Sequence, residues 1–332
     1  MKIKDDISAA GYFAGWSLVK HLPVPLAEWL FNKVADKVSH DGAGMEQLRR
    51  NLMRIVGPEN VTRELVRDSM RSYMRYWMEA FRLQSLSQDA DLHRQLLAGL
   101  EGKELLDASL NSPKGTILAL THSGNWDMAG VFLVGYNGPF TTVAERVKPE
   151  SLFRAFVDYR QALGFKVIAL TGGEQPPYEQ LKQALEAGEV VCLLSERDLT
   201  RHGVEVDFFG EPCNMATGPA RLAQETGAHL HAVHCFFHDD KDDNDDESGA
   251  SVAGGSPRWG MTVSEPIEVD DIKTTTQSLA RHFEKFLRRR PQDWHMLQPQ
   301  WNVDIEQRRL RRAERESREE NQAARQKKKG RK

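Results

Sequence analysis

From Gly115 onward the chain alternates short apolar runs with segments of helical period, and no other feature constrains its fold as tightly. The runs at 116–121, 140–143, 166–170, 190–194 and 230–237 read as strands. Between them, 126–134, 151–163, 178–187 and 218–225 read as helices. Parallel neighbours need a crossover long enough to bring the chain back to the same end, so this repetition predicts an α/β fold: a central, mainly parallel sheet flanked by helices. Such sheets take ligands beyond the carboxyl ends of their strands. A strand at 259–263, a helix at 274–288 and the segment 291–301 complete the body. The first hundred residues differ. Apolar positions recur through Leu26, Leu30, Phe31 and Val34, then Met45, Leu48, Leu52 and Ile55, then over 61–83, and predict an N-terminal helical segment entered at Pro58 and Asn60.

Charge divides the chain again. The formal net charge of -3 hides twelve Lys/Arg against four Glu in residues 308–332, a tail of +8 on a body of -11. We therefore expect one domain, 1–307, with a helical part (1–100) and an α/β core (115–305), followed by a basic tail (308–332). Residues 239–247 hold seven acids and one Lys and run into a Ser/Gly/Ala stretch, so 239–257 is expected to be a solvated, disordered loop. The uncharged stretch 7–19 is short of the roughly 20 apolar residues a spanning helix needs. Three cysteines without a CxxC pair, and no signal-peptide pattern, point to a reducing cytoplasm rather than a disulfide framework or a structural zinc site.

The candidate chemistry sits where the first predicted strand meets a helix, at His122-Ser123-Gly124-Asn125-Trp126-Asp127. An imidazole titrates near neutrality, and a carboxylate beside it fixes its tautomer and steadies the imidazolium, so His122 and Asp127 read as a general base with its partner. Backbone N–H groups near Ser123 and Gly124 would then stabilise an oxyanion. The spacing recurs at His202/Asp207, His234/Asp239 and His238/Asp243, and only the junction singles out His122; a capping or core histidine carries equal weight. Glu196, Arg197 and Asp198 follow the strand at 190–194, either as site residues or as a surface salt-bridge cluster. His229, His231, His234 and His238 suggest a metal, but they fall on both faces of one strand, and an ordinary strand is the better reading. Gly172-Gly173 lacks the remainder of a nucleotide loop.

The stretch Ala119-Leu-Thr-His-Ser-Gly-Asn-Trp-Asp-Met-Ala-Gly130 resembles the signature of the bacterial lipid A and phosphatidylinositol mannoside acyltransferases. Matches continue in order through Val143-Ala-Glu-Arg146, Arg160 with Gly164, Ser195-Glu-Arg-Asp198, Val206-Asp-Phe-Phe-Gly-Glu-Pro212, Gly218-Pro-Ala-Arg-Leu-Ala223 and Arg290-Pro-Gln-Asp-Trp294. The resemblance implies transfer of a long acyl chain, usually palmitoyl, from acyl-CoA to the mannose 6-hydroxyl of a phosphatidylinositol mannoside. The reaction would run at the inner leaflet of the plasma membrane, with acyl-CoA as co-substrate and no acyl-enzyme, metal or further cofactor. It carries the catalytic role to His122, Asp127 and Glu196. Glu145 and Arg160 match the polar shell, Arg160 either binding an acceptor phosphate or holding Glu145 in an ion pair. Ser123, Asn125, Arg197 and Asp198 are expected to help bind substrate. With a lipid acceptor, the aromatic stretch Tyr12, Phe13 and Trp16, near Lys2, Lys4 and Lys20, reads as an interfacial helix, the alternative being a helix covering the sheet. The basic tail would assist at anionic headgroups or simply form a solvated helix. It lacks the interleaved aromatics of a nucleic-acid binder.

Overall fold

The computed structural model describes residues 18–87, 89, 91–198, 202–238 and 257–329, with side chains described as far as residue 319. The stretch with Tyr12, Phe13 and Trp16 and the acidic segment 239–256 lie outside the described residues.

Helices α1 (Val24–Val38), α2 (Glu46–Val56) and α3 (Arg63–Leu86) come first. The expected entry residue Asn60 ends a single 3-10 turn instead, and Thr62 caps α3 by accepting the Leu65 N–H at 3.1 Å. That bond satisfies one of the amides every helix start leaves unpaired. Helix α1 packs along α3 through Ala27 and Phe31, and Arg71 holds Asp36 through two bonds of 2.7 and 2.9 Å.

Then come α4 (Leu92–Ala98), β1 (Leu100–Glu101), α5 (Lys103–Leu110), β2 (Thr116–Leu120), α6 (Trp126–Asn137), β3 (Thr141–Ala144), α7 (Glu150–Ala162), β4 (Lys166–Ala169), α8 (Pro177–Glu186) and β5 (Val190–Leu194). A hairpin of β6 (Val204–Phe208) and β7 (Glu211–Met215) precedes α9 (Gly218–Thr226), β8 (His229–Phe237), β9 (Trp259–Val263), α10 (Ile272–Arg289) and α11 (Asn302–Lys329). The seven-stranded sheet runs β1-β9-β8-β2-β5-β3-β4, antiparallel only between β8 and β9. Ile117, Ala119, Val191 and Leu193 face one core beneath α8, α9 and α10. Leu118 and Leu120 face the other, beneath α6. A parallel sheet covered on both sides needs such continuous apolar strands.

From β2 the chain winds outward to β3 and β4, returns to β5, then crosses β2 to β8 on its other side. This reversal leaves a crevice at the carboxyl ends of β5, β2 and β8, the place where open α/β sheets bind ligands. The charge break at Arg308 coincides with no break in the backbone, since α11 begins at Asn302 and runs through it.

Candidate active site

Register builds the site. Strands β2 and β5 are parallel with Leu120 opposite Leu194, so the residues two positions further on, His122 and Glu196, lie side by side above the sheet. Glu196 is fully buried. One of its oxygens accepts the His122 backbone N–H at 2.6 Å and lies 2.9 Å from the His122 ring Nδ1. Burial works against a charged carboxyl, but the neighbouring His122, through its charge, ring and backbone N–H, outweighs it and holds Glu196 below the usual carboxylate range. An ionised Glu196 accepts the Nδ1 proton and leaves the lone pair of the imidazole on Nε2. The ring keeps 29% of its side-chain surface exposed. It is therefore a partly exposed imidazole backed by a buried carboxylate.

Asp127 does not take that role. Its oxygens receive Arg160 at 2.7 and 3.0 Å and the Tyr76 hydroxyl at 3.0 Å, and no hydrogen bond joins it to His122 among the described residues. On the first turn of α6 it points back toward α3 and α7, whereas His122 is still on the strand-end loop. Arg160 accordingly pairs with Asp127 rather than with Glu145, and that neighbour raises its pKa against the effect of burial. The pair reaches the base indirectly. Tyr76 stacks on Trp126 at a centroid distance of 3.9 Å, and Trp126 stands edge-on to the His122 ring at 5.6 Å.

Ser123 and Asn125, expected to help bind substrate, lie beneath the site. Ser123 is fully buried, its hydroxyl 2.7 Å from that of Thr121 and 2.9 Å from His234 Nδ1. Asn125 caps α6 by accepting the Met128 N–H at 2.9 Å, and its amide donates to buried Glu79 at 2.7 Å. Nor do the loop amides form an oxyanion site as expected: the N–H groups of Ser123 and Gly124 go to the carbonyls of Thr121 and Asp293. Gly124 has φ +53°, and a Cβ there would lie 2.5 Å from the backbone of Cys235, so the loop closes onto β8 only with glycine.

Sequence reasoning missed the brace on this loop, although Asp293 and Trp294 close a quoted motif and His295 follows it. The His295 N–H donates to the His122 carbonyl at 2.8 Å, Gly124 to the Asp293 carbonyl at 2.9 Å, and Trp294 Nε1 to Glu196 at 3.3 Å. Asp293 is fixed in turn by Ser72 at 2.6 Å and the Phe237 N–H at 3.0 Å. Burial depresses His234 and His295 from 6.5 to about 3. The sign follows directly. The unfolded chain takes up protons on both rings as the pH falls below 6.5, and the folded protein does not until about 3. Stability is complete above 6.5 and declines in between, by about 1.4 kcal/mol per pH unit per ring. Chemical denaturation at pH 7, 6, 5 and 4 is expected to trace that decline, and His295→Gln to make it shallower.

Two recesses lie near the dyad, reached from it through neighbouring residues, since neither is lined by His122 or Glu196 itself. An apolar cleft lies between α6 and the sheet, walled by Leu118, Leu120, Leu194, Phe132 and Leu133, with Trp126, Asp127 and Arg160 also lining it. A polar groove of about 780 Å³ is lined by Glu145, Arg197, Asp198 and Gln300 together with the start of α11. It is linked to Glu196 through Gln300, which donates to the Glu196 backbone carbonyl at 2.5 Å. Of the residues expected to bind substrate, Glu145, Arg197 and Asp198 therefore line the polar groove and Arg160 the apolar cleft. The histidines of β8 are spoken for: His229 meets Ser112 at 3.0 Å, and His231 meets Ser109 and the Ser264 carbonyl, each at 2.8 Å. No cluster of three or more His, Cys, Asp or Glu suited to a metal occurs among the described residues.

A histidine paired with a buried carboxylate at the switch point of a doubly covered sheet, with Trp126 between its ring and an apolar cleft, defines an α/β enzyme site. Residues 7–303 match the model of the bacterial lipid A biosynthesis acyltransferase family, and the chain belongs to that family. Among characterised relatives it is similar to the phosphatidylinositol mannoside acyltransferase of Mycolicibacterium smegmatis, 47% identical over 306 residues that cover 90% of this chain and 93% of the relative. The protein of the same name from Mycobacterium tuberculosis is 47% identical over 298 residues, covering 89% and 88%.

Proposed function

We propose that the protein transfers a long acyl chain, palmitoyl in the first instance, from acyl-CoA to the 6-hydroxyl of a mannose in a phosphatidylinositol mannoside. The observation that carries the reading is the His122–Glu196 pair, linked through Trp126 to an apolar cleft and through Gln300 to a polar groove, in a chain 47% identical to enzymes of that name. The cleft, about 90 Å³ as it stands, must widen between α6 and the sheet to accept the hydrocarbon, and the groove takes the sugar-bearing headgroup. A sugar hydroxyl is a weak nucleophile. His122 Nε2 removes its proton as the oxygen attacks the thioester carbonyl, and Glu196 offsets the positive ring that forms. The amides of Trp126 and Asp127, which open α6 four and five residues past His122, suit the developing oxyanion, since those of His122, Ser123 and Gly124 are committed to Glu196, Thr121 and Asp293. Collapse of the tetrahedral intermediate breaks the C–S bond, and the proton on Nε2 passes to the departing CoA thiolate. No covalent enzyme intermediate is required.

Purified protein given palmitoyl-CoA and a monomannoside acceptor should yield the mannose-acylated lipid by mass spectrometry. Release of free CoA at a rate indifferent to the glycolipid would identify a thioesterase instead.

The same reading places the protein on the inner leaflet of a membrane. No helix among the described residues is long and apolar enough to cross one. Helix α1, however, exposes Leu26, Trp29, Leu30, Val34 and Val38 along one side, Trp29 at 58%, with Lys33 and Lys37 among them. An apolar stripe with lysines at helical spacing lies well in an interface over anionic headgroups. Trp29→Glu is expected to reduce flotation with anionic vesicles by about tenfold, and to slow turnover of vesicle-borne acceptor more than that of detergent-dispersed acceptor.

A further inference from the structure

The polar groove has a wall that the family match does not supply. That match ends at residue 303, and beyond it the groove is lined by Ile305, Arg308, Arg309 and Arg312 of α11. Their spacing of three, four and seven residues puts them on one side of the helix. The helix start is firmly seated: Trp301 is fully buried, stacks on Phe208 at 5.6 Å and donates its indole N–H to the Phe208 carbonyl at 2.8 Å. One turn on, Asp304 is 5% exposed and accepts Arg54 at 2.9 Å. The arginines on the following turns are thus held at a set position rather than carried on a loose tail.

Arg197 joins them from the end of β5, directly after Glu196. Four guanidinium groups therefore share the groove with the carboxylates of Glu145, Asp198 and Glu306 and the amides of Asn214, Gln300 and Asn302. The balance is cationic, and the carboxylates and amides suit hydroxyl groups. The helix arginines' present partners are exposed: Arg308 donates to the Gln298 side chain, Arg309 lies 3.7 Å from Glu306, and Arg312 bonds to Glu316 with 80% and 57% of the two side chains exposed. Exposed pairs of this kind contribute little. Guanidinium forks bind phosphate through paired, charge-assisted bonds.

We propose that the first three turns of α11 complete a groove that binds a phosphate ester, with Arg308, Arg309, Arg312 and Arg197 as its cationic contacts. Under the acyltransferase reading, on which only the identity of the ester rests, two sources exist: the nucleotide phosphates of acyl-CoA and the phosphodiester of the lipid acceptor.

Calorimetric titration of the full chain with inorganic pyrophosphate tests the groove without any turnover. Binding is expected to weaken with rising salt, to fall at least tenfold in R308A/R309A/R312A, and to be partly retained in the corresponding triple lysine variant. These side chains are exposed, and an unchanged melting temperature verifies folding; R197A gives an independent second measurement from the other element. Absent binding by the wild type, or equal affinity in the triple alanine variant, would overturn the proposal. Competition then names the source. Adenosine 3′,5′-bisphosphate displacing pyrophosphate assigns the groove to the donor, and glycerophosphoinositol doing so assigns it to the acceptor, with the KM for that substrate raised at least tenfold in the triple alanine variant. Displacement by neither overturns the proposal. An inactive wild type that still binds pyrophosphate through these arginines would count against the acyltransferase reading and leave the groove standing.

Discussion

Glu196→Gln is expected to lower kcat by about a thousandfold, within the range general-base assistance supplies, with a much smaller change in KM. Glutamine keeps the shape and can still accept the Nδ1 proton, but it lacks the charge that steadies the imidazolium 2.9 Å away when His122 takes the hydroxyl proton. His122→Ala should cost at least as much. Because the two act as one unit, the double variant should be no slower than His122→Ala alone. Steady-state rates for the four proteins, with acyl product measured directly, decide the matter. A Glu196→Gln enzyme within tenfold of wild type, or losses that multiply in the double variant, would remove Glu196 from the mechanism.

The second large effect is on stability. Asp127→Ala leaves Arg160, 21% exposed, without its carboxylate in the interior, and should destabilise the protein by about 3–5 kcal/mol, the cost usual for breaking a buried pair from one side. Replacing both partners by apolar residues of similar size, Asp127→Leu with Arg160→Met, should recover most of that loss. Denaturant midpoints for the three proteins measure it. The contrast with Glu196 separates a structural carboxylate from a catalytic one. Wild-type stability in Asp127→Ala combined with a Glu196→Gln-like loss of kcat would restore Asp127 as the partner of the base.

Asp127 shows where a one-dimensional reading stops. Its distance from His122 along the chain is five residues, yet the strand ends at Leu120 and α6 begins at Trp126, and the turn between them sends the two side chains in different directions. Glu196, 74 residues away, is the true neighbour because a parallel register pairs Leu120 with Leu194. The signal was present, since both residues follow an apolar strand at its carboxyl end, but strand order is needed to read it. The hairpin β6–β7 shows the converse. Its turn puts Phe209 at φ 54° and Gly210 at φ 79°, a conformation that favours Asn-Gly, so local turn chemistry does not announce it. What holds Phe209 there is distant: Glu284 accepts its N–H at 2.6 Å, and Arg288 lies over its ring.

By itself, then, the order of residues determined the alternation of strands and helices, the parallel sheet and the base at a strand-to-helix junction, because those depend on periodicity and on groups adjacent in the chain. The tertiary structure decided which carboxylate pairs with His122, which one is locked to Arg160, that the 293–295 segment braces the loop, and that a helix beginning at Asn302 walls the groove. Those are choices of partner across 33 to 221 residues. They follow from strand order and from the need of each buried charge for a counterpart, which no local pattern records.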